Sequence, residues 1–562
     1  MLLLIFFIPF RYTPPPGCET NFVEDKGDFG KYQAWQFTLH ILSAITAGVN
    51  MMSLVTVAAV PDHRCEITGI DVNGTYTHLN HSLLEVFVPK LPSGKFDSCS
   101  LLNITTNTSY PCDSWVFDHT HYGTSRAIEW SFICDQRWMG AVAQSVYMFG
   151  VFMGAVVLGN LADKVGRKPV FCWSAVLQLL LGVGVAFTPE YFSFLFIRFL
   201  YGIFGSAGSY IPGFVLTMEL VGPKRRSMCG VAFQAAFAVG IMLVAGWGSF
   251  IKDRQLLQVV YGCHAIILIG HIWLMDESPR WLWGNGRTKE AVDIVKKALK
   301  MNGSPVNLEA AEFVSKGKSE ERTTNEDAGV TDLFKTPNLR KKTLNIMLCW
   351  FANSLVYYGL SLSTGNLQGN PYVILFVMGA VELPSYVVTV YAMDRLGRRS
   401  LTAFDMIAGG ICCIVAANLT MGSVASTSFV FIGKFLIAGS FAIIYNYSAE
   451  LFPTVIRNSA MGLGAMCART SGALTPLITL LDSFDPKIPS ITFAIIALVS
   501  GFLVTLLPET LHKSMPQTIE DGERFGIGDT CFTTCGKSHD DDVETEKPLT
   551  KKTQSEQMQP LK

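Results

Sequence analysis

The chain has 562 residues, a formal net charge of −1 and 16% charged residues, with a mean hydropathy of +0.33. Soluble domains carry about 25% charge, so this chain is short of solvated surface. Its near-neutral balance gives no electrostatic basis for binding nucleic acid.

Apolar runs long enough to cross a bilayer as helix recur along the chain. In chain order they predict twelve spans, near 33–59, 138–161, 170–188, 191–218, 228–251, 255–275, 342–364, 371–393, 400–420, 426–448, 455–482 and 488–508. Lipid leaves backbone groups no partner outside the segment, so an all-α membrane protein is expected. The predicted organisation is a segment 1–32, a six-helix half 33–275, a linker 276–341, a second half 342–508 and a tail 509–562. The start, "MLLLIFFIPFRYTPPPG", is too short to span and lacks the basic flank of a secretory signal. It reads as a peripheral anchor or as the result of a wrongly chosen start codon. The tail is polar and expected to be partly disordered.

Basic residues orient the chain. Short loops after spans two, four, eight and ten hold Lys164, Arg167, Lys168, Lys224, Arg225, Arg226, Arg395, Arg398, Arg399 and Arg457. Those on the other side hold Lys252, Arg254 and Lys487. The positive-inside rule puts the first set, and both termini, in the cytoplasm. Residues 61–137 then face outward. That loop carries glycosylation sequons at Asn73, Asn80, Asn103 and Asn107, and four cysteines, Cys65, Cys99, Cys112 and Cys134. Four cysteines allow three connectivities.

Three charged motifs occur twice. "DKVGRKP" at Asp163 returns as "DRLGRRS" at Asp394, and "ELVGPKRRS" at Glu219 as "ELFPTVIRN" at Glu450, both at an offset of 231. "ESPRWL", with Glu277 and Arg280, returns as "ETLHKS" at Glu509 after 232. A shared offset implies a duplicated six-span unit, and membrane carriers with such halves bind substrate between them. In each copy the glycine, Gly166 or Gly397, permits a tight turn. Asp163 and Asp394 are placed to receive backbone N–H groups of a neighbouring helix. Arg167 and Arg398 are placed to pair with Glu219 and Glu450 of their own half. Charges that merely enforce topology would not require the repeated Asp, Gly and Glu.

The repeated Asp-x-x-Gly-Arg-Arg/Lys turn resembles the signature of the major facilitator superfamily. The large outer loop, "ESPRWL", "ELFPTVIRN" and "PETL" together resemble the organic cation, carnitine and organic anion transporters, solute carrier family 22, over about residues 25–525. The resemblance implies a major facilitator fold of twelve helices in two pseudo-repeats, carrying small organic ions by alternating access. It is nearest invertebrate organic cation transporter-like and carnitine-type members. Asp163, Gly166, Arg167, Glu219, Glu277, Arg280, Asp394, Gly397, Arg398, Glu450 and Arg457 would serve the gate. The family's first-loop pattern implies Cys65–Cys112 and Cys99–Cys134 bridges.

Ionisable groups deep in a span are functional candidates. Glu382 lies twelve residues before Asp394, and Arg469 twelve after Arg457. At 1.5 Å per residue both stand about 18 Å from the basic end, near the middle of a ~30 Å core. They could pair across a cavity. Lys434 and Arg198 sit closer to helix ends, where snorkelling or structural pairing is expected. Tyr210, Phe237, Trp350, Tyr357, Tyr358, Tyr445 and Tyr447 surround the same level, and aromatic faces attract organic ammonium groups. The resemblance adds weight to Trp350 and Tyr357, within "WFANSLVYYGLSLSTGNL". Mammalian cation transporters have an acid where Arg469 falls, whereas anion and carnitine transporters have arginine. Tyr386 stands where anion transporters commonly carry lysine, and "YNYSAELFPT" is close to the carnitine type.

The expected function is therefore polyspecific transport of small organic cations or zwitterions across the plasma membrane. Organic anion transport is the alternative, and a non-transporting receptor or scaffold of the same fold is the alternative of another class. No convergent catalytic or metal site is visible, so no enzyme and no cofactor are expected. Coupling would come from sodium, protons or membrane potential. The partners expected are the bilayer and an organic-ion substrate, with the chain monomeric.

Overall fold

The computed structural model describes residues 29–529, except 68–69, 72–75, 77–80, 91–95, 104–105, 107, 304–329, 363–366, 368 and 421. The expectations for the chain start, for the tail beyond 529 and for Asn73, Asn80 and Asn107 fall outside the described residues. Among the described residues, twelve helical segments account for the predicted spans. The first half contains α1 (Lys31–Val57), α2 (Trp138–Val165), α3 (Arg167–Gly184), α4, α5 (Pro223–Phe250) and α6, which opens at Arg254–Cys263. Helix α4 comprises Tyr191–Tyr201 and Gly208–Leu220, joined by a π-helical turn at Gly202–Ala207. The second half contains α7 (Pro337–Leu362), α8 (Pro371–Leu396), α9 (Arg398–Asn418), α10 (Val424–Leu451), α11 (Arg457–Thr479) and α12 (Ile488–Val504).

Among the described residues, nine of these segments are long and apolar enough to cross a membrane by composition alone. The other three, α7, α11 and α12, fall short for different reasons. Helix α12 has only 17 residues. Helices α7 and α11 carry polar groups that they turn inward: Asn353, Ser354, Ser361, Ser471 and Thr475 are buried. A helix that lines an interior site need not be apolar on every face.

Close helix crossings use small residues. Gly48 of α1 and Gly240 of α5 face each other so closely that a Cβ on Gly240 would stand 2.9 Å from the Gly48 Cα. Helices in lipid gain association through such backbone approach, since lipid tails are as apolar as leucine.

One buried apolar cluster joins the halves at the end bearing the outer loop and at mid-depth. Met51, Met148, Phe237 and Ile241 of one half belong to the same cluster as Tyr357, Leu360, Leu375 and Phe493 of the other. At the basic end the clusters separate by half, with Phe37, Val221 and Phe233 in one and Ile346, Trp350, Ile443 and Leu451 in another. Arg137 adds an ion pair with Asp482 across the halves at the loop end, 2.6 Å.

The outer loop is a small folded unit. Strand β1 (His63–Cys65) pairs antiparallel with β4 (Trp115–Phe117), and β2 (Ser100–Leu102) with β3 (Ser109–Pro111). Cys65 is joined to Cys112 and Cys99 to Cys134, with Cα separations of 5.8 and 5.7 Å. This is the pairing implied by the resemblance. The described sequon, Asn103, is exposed. A cavity of about 1410 Å³ lies beneath the loop, lined by Tyr76, Asp97, Arg137, Gln144, Tyr372 and Asp482 among others.

Candidate functional site: the central cavity and the repeated turns

A second, smaller cavity of about 90 Å³ lies at mid-depth between the halves. Helices α1, α2, α4 and α5 give it Met51, Met148, Tyr210, Gln234 and Phe237, and α7, α10 and α11 give it Ser354, Tyr357, Tyr358, Phe441, Tyr445 and Arg469. The aromatic groups form a connected wall. Tyr357 stacks on Phe441 at 5.7 Å and meets Tyr358 edge-on at 5.2 Å. Phe441 meets Tyr445 at 5.8 Å, and Phe214 of the other half approaches Tyr445 at 6.3 Å.

Not every predicted residue reaches the cavity. Trp350 stands behind Tyr445, edge-on at 4.5 Å, and donates its indole N–H to Ser448 Oγ at 3.0 Å. Tyr447 points away and donates to the Pro508 carbonyl at 2.8 Å, bracing the start of the "PETL" motif. Both are supports of the site and not its lining. Phe441, Ser354 and Gln234 line it and were not expected. Phe441 lies one helical turn before Tyr445, and that spacing was the signal available.

The expected Glu382–Arg469 pair does not form. Glu382 instead pairs with Lys434 at 2.9 Å, both side chains being wholly buried. Glu382 also accepts from the phenols of Tyr357 and Tyr386, each at 2.9 Å. Lys434 donates to Ser361 Oγ at 2.7 Å and lies 3.1 Å from the Tyr357 ring centroid. Of the two expectations for Lys434, structural pairing holds and snorkelling does not. Ten positions into α10 it is too deep to reach either surface, and burial of the acid at the same level requires its charge. Arg198, also buried, donates to Gln144 Oε1 at 3.2 Å and lies over Tyr147.

Arg469 is left facing the cavity. It donates to the Ala465 carbonyl of its own helix at 3.1 Å and makes no ion pair among the described residues. The cavity therefore presents one guanidinium and four phenols, while the acid is neutralised behind Tyr357.

At the basic end the two copies of the repeated turn have the same geometry. Arg167 pairs with Glu219 at 3.2 Å and with Asp163 at 3.0 Å. Arg398 pairs with Glu450 at 3.0 Å and with Asp394 at 3.4 Å. The expectation that Asp163 and Asp394 hold backbone N–H groups is corrected, since both are mostly exposed. Glu277 takes that role in the first half, accepting from the amides of Arg167 and Lys168 at 3.2 and 3.0 Å. Glu509 takes it in the second, accepting from the amide of Arg398 at 2.8 Å. A carboxylate at a helix start meets both the free amides and the positive end of the helix dipole. Gly166 and Gly397 have φ of 115° and 85°, conformations open to glycine. Arg457 reaches back to the Phe452 carbonyl at 3.4 Å, and Arg226 to that of Val221 at 3.2 Å, another repeat-related pair. Arg280 is exposed at the surface.

Two six-helix halves around a central cavity, with a duplicated Asp-x-x-Gly-Arg turn, define a major facilitator transporter. Residues 103–520 match the family described as "Sugar (and other) transporter". The proton:xylose symporter XylE has the same fold, with a TM-score of 0.57 at 16% identity over 88% of this chain and 98% of that one. Sequence relatives narrow the class. The "Organic cation transporter protein" of Drosophila melanogaster is 38% identical over 89% of this chain and 93% of its own. "Solute carrier family 22 member 6-B" of Xenopus laevis is 32% identical over 89% and 94%. The human "Solute carrier family 22 member 16" is 31% identical over 89% and 92%. The chain belongs to solute carrier family 22, a family of multi-pass membrane transporters and not of enzymes.

Proposed function

We propose that the chain carries small organic zwitterions, such as ammonium carboxylates, across the plasma membrane by alternating access. One observation carries this reading: Arg469 faces the central cavity without an acidic partner among the described residues. A lone cation at mid-membrane is costly until an anion reaches it. The planar guanidinium matches a carboxylate in a way lysine does not. The wall of Tyr357, Tyr358, Phe441 and Tyr445 then supplies faces for an ammonium group.

Organic anions are the second reading, favoured because no carboxylate lines the cavity among the described residues. A simple cation is the less suited substrate, since Arg469 repels it and Glu382 is already neutralised by Lys434. In this reading the basic end with both termini is cytoplasmic, the 61–137 loop is outside and glycosylated, and one chain suffices as the working unit. The repeated turns steady the basic ends of both halves as they rock.

Uptake of radiolabelled carnitine, tetraethylammonium and benzoate into expressing oocytes tests the proposal. Carnitine uptake above the other two supports it. Benzoate uptake alone selects the anion reading, tetraethylammonium uptake alone removes Arg469 as the recognition group, and no uptake of any ion favours a receptor.

A further inference from the structure

The second half contains a buried acid that neither the cavity nor the repeated turns use. Asp405, on α9, is 6% exposed and makes no ion pair or hydrogen bond among the described residues. It stands seven residues beyond Arg398, about 10 Å into the helix from the basic end. The space beside it is polar. A side-chain carbon built on Gly439 of α10 would stand 2.7 Å from Thr389 Oγ1 and 3.2 Å from both Asp405 Oδ2 and Ser385 Oγ. Oxygens of Thr389, Asp405 and Ser385, from α8 and α9, thus pack closely against the face of Gly439 that has no side chain, and Ser385 Oγ also donates to the Phe435 carbonyl at 2.5 Å. Ser440, the next residue of α10, has a buried hydroxyl without a partner among the described residues.

Among the described residues no neighbouring charge offsets Asp405. On α8 the ionisable groups are Tyr372 at the far end, which donates to the His121 carbonyl, Glu382, held by Lys434, Tyr386, which donates to Glu382, and Tyr391, Asp394 and Arg395 towards the basic end. On α10 they are Lys434, Tyr445, Tyr447 and Glu450, the last paired with Arg398. Helix α12, also packed against α9, contains no ionisable side chain. On α9 itself Arg398 and Arg399 are engaged by Glu450 and Asp529, and Cys412 and Cys413 lie farther along. A buried carboxylate with neither donor nor cation is strongly disfavoured, so the group must hold a cation or a proton in its resting state.

We propose that Asp405, with Thr389 and Ser385 beside it against Gly439, forms the binding site for a monovalent coupling cation, either a proton or a sodium ion. Ser385 is one turn from Glu382 on α8, and Glu382 accepts from Tyr357 of the cavity wall. Occupancy of the Asp405 site is thereby linked through one helix to the substrate cavity. The site adds to the zwitterion reading and does not depend on which organic ion is carried.

The test uses the purified full chain in nanodiscs, without substrate. Thermal stability is measured while sodium replaces N-methylglucamine at constant ionic strength, and separately across pH in sodium-free buffer. A cation that binds the folded state raises Tm in proportion to its occupancy. For sodium, Tm rises by several degrees with sodium, and the rise is absent in Asp405→Asn and weakened in Thr389→Val. For a proton, Tm falls as pH rises, does not respond to sodium, and the infrared carbonyl band of a protonated carboxyl group disappears in Asp405→Asn. Thr389→Val retains the carboxyl group, so it keeps the test informative should Asp405→Asn fold poorly. A wild-type Tm that responds to neither ion, or responses unchanged in both variants, overturns the proposal.

Discussion

Lys434 Nζ lies 2.9 Å from Glu382 Oε1 in the interior of the second half, with neither side chain exposed. The lysine fills the place that Arg469 would have taken, and it leaves the Arg469 guanidinium as the charge that faces the cavity. Truncating one partner leaves the other buried and uncompensated, at a cost of about 3–5 kcal/mol. Lys434→Met is therefore expected to lower Tm and surface expression markedly. The double variant Lys434→Met/Glu382→Gln should recover much of the loss, since it removes both charges. If the double variant is as impaired as the single one, the pair has a role other than mutual neutralisation.

Arg469 lines the cavity without an ion pair among the described residues, so under the proposed reading its replacement should act on transport more than on folding. Loss of a charged hydrogen bond costs about 1.5–3 kcal/mol, or about ten- to a hundredfold in apparent affinity. Arg469→Gln should weaken carboxylate-bearing substrates by that factor with surface expression kept, and Arg469→Lys should recover only part. Uptake of a tetraalkylammonium ion should hold steady or rise. Equal loss for both substrate classes would reassign Arg469 to structure.

The repeated turns predict an order of sensitivity. At Gly166 an added Cβ would meet Glu277 Oε2 at 2.6 Å, and at Gly397 it would meet Glu509 Oε2 at 2.5 Å. Both glycines also have positive φ, so Gly166→Ala and Gly397→Ala incur strain as well as collision. Glu277→Gln and Glu509→Gln should cut transport more than Asp163→Ala or Asp394→Ala, because the glutamates hold helix-start amides and the aspartates are exposed. Uptake normalised to surface protein measures this; the reverse order would return the helix-start role to the aspartates.

Peptide mapping of the outer loop under non-reducing conditions should yield Cys65–Cys112 and Cys99–Cys134. The bridges close 47 and 35 residues, and the chain-entropy account assigns each about 4 kcal/mol. Replacing either pair by serine should therefore destabilise the loop and lower surface delivery. A Cys65–Cys134 peptide would exclude the connectivity.

Much of this protein was determined by local sequence. Span number follows from the length of the apolar runs, because a bilayer admits only segments that satisfy their own backbone. The repeat was legible in Asp163/Asp394 and Glu219/Glu450, and the arginine pairs of each half followed from it. Depth was legible too, since 1.5 Å per residue places Glu382 and Arg469 at one level. Tertiary structure alone decided which charges met at that level. Depth fixes position along a helix but not the face it turns to its neighbours, and that face depends on how all twelve helices pack. Rotation of α10 brought Lys434 to Glu382 and left Arg469 to the cavity. Packing likewise gave the helix-start amides to Glu277 and Glu509, more than a hundred residues away in sequence. It also set Asp405 beside Gly439. Such contacts arise from side chains far apart in the chain, and no local pattern encodes them.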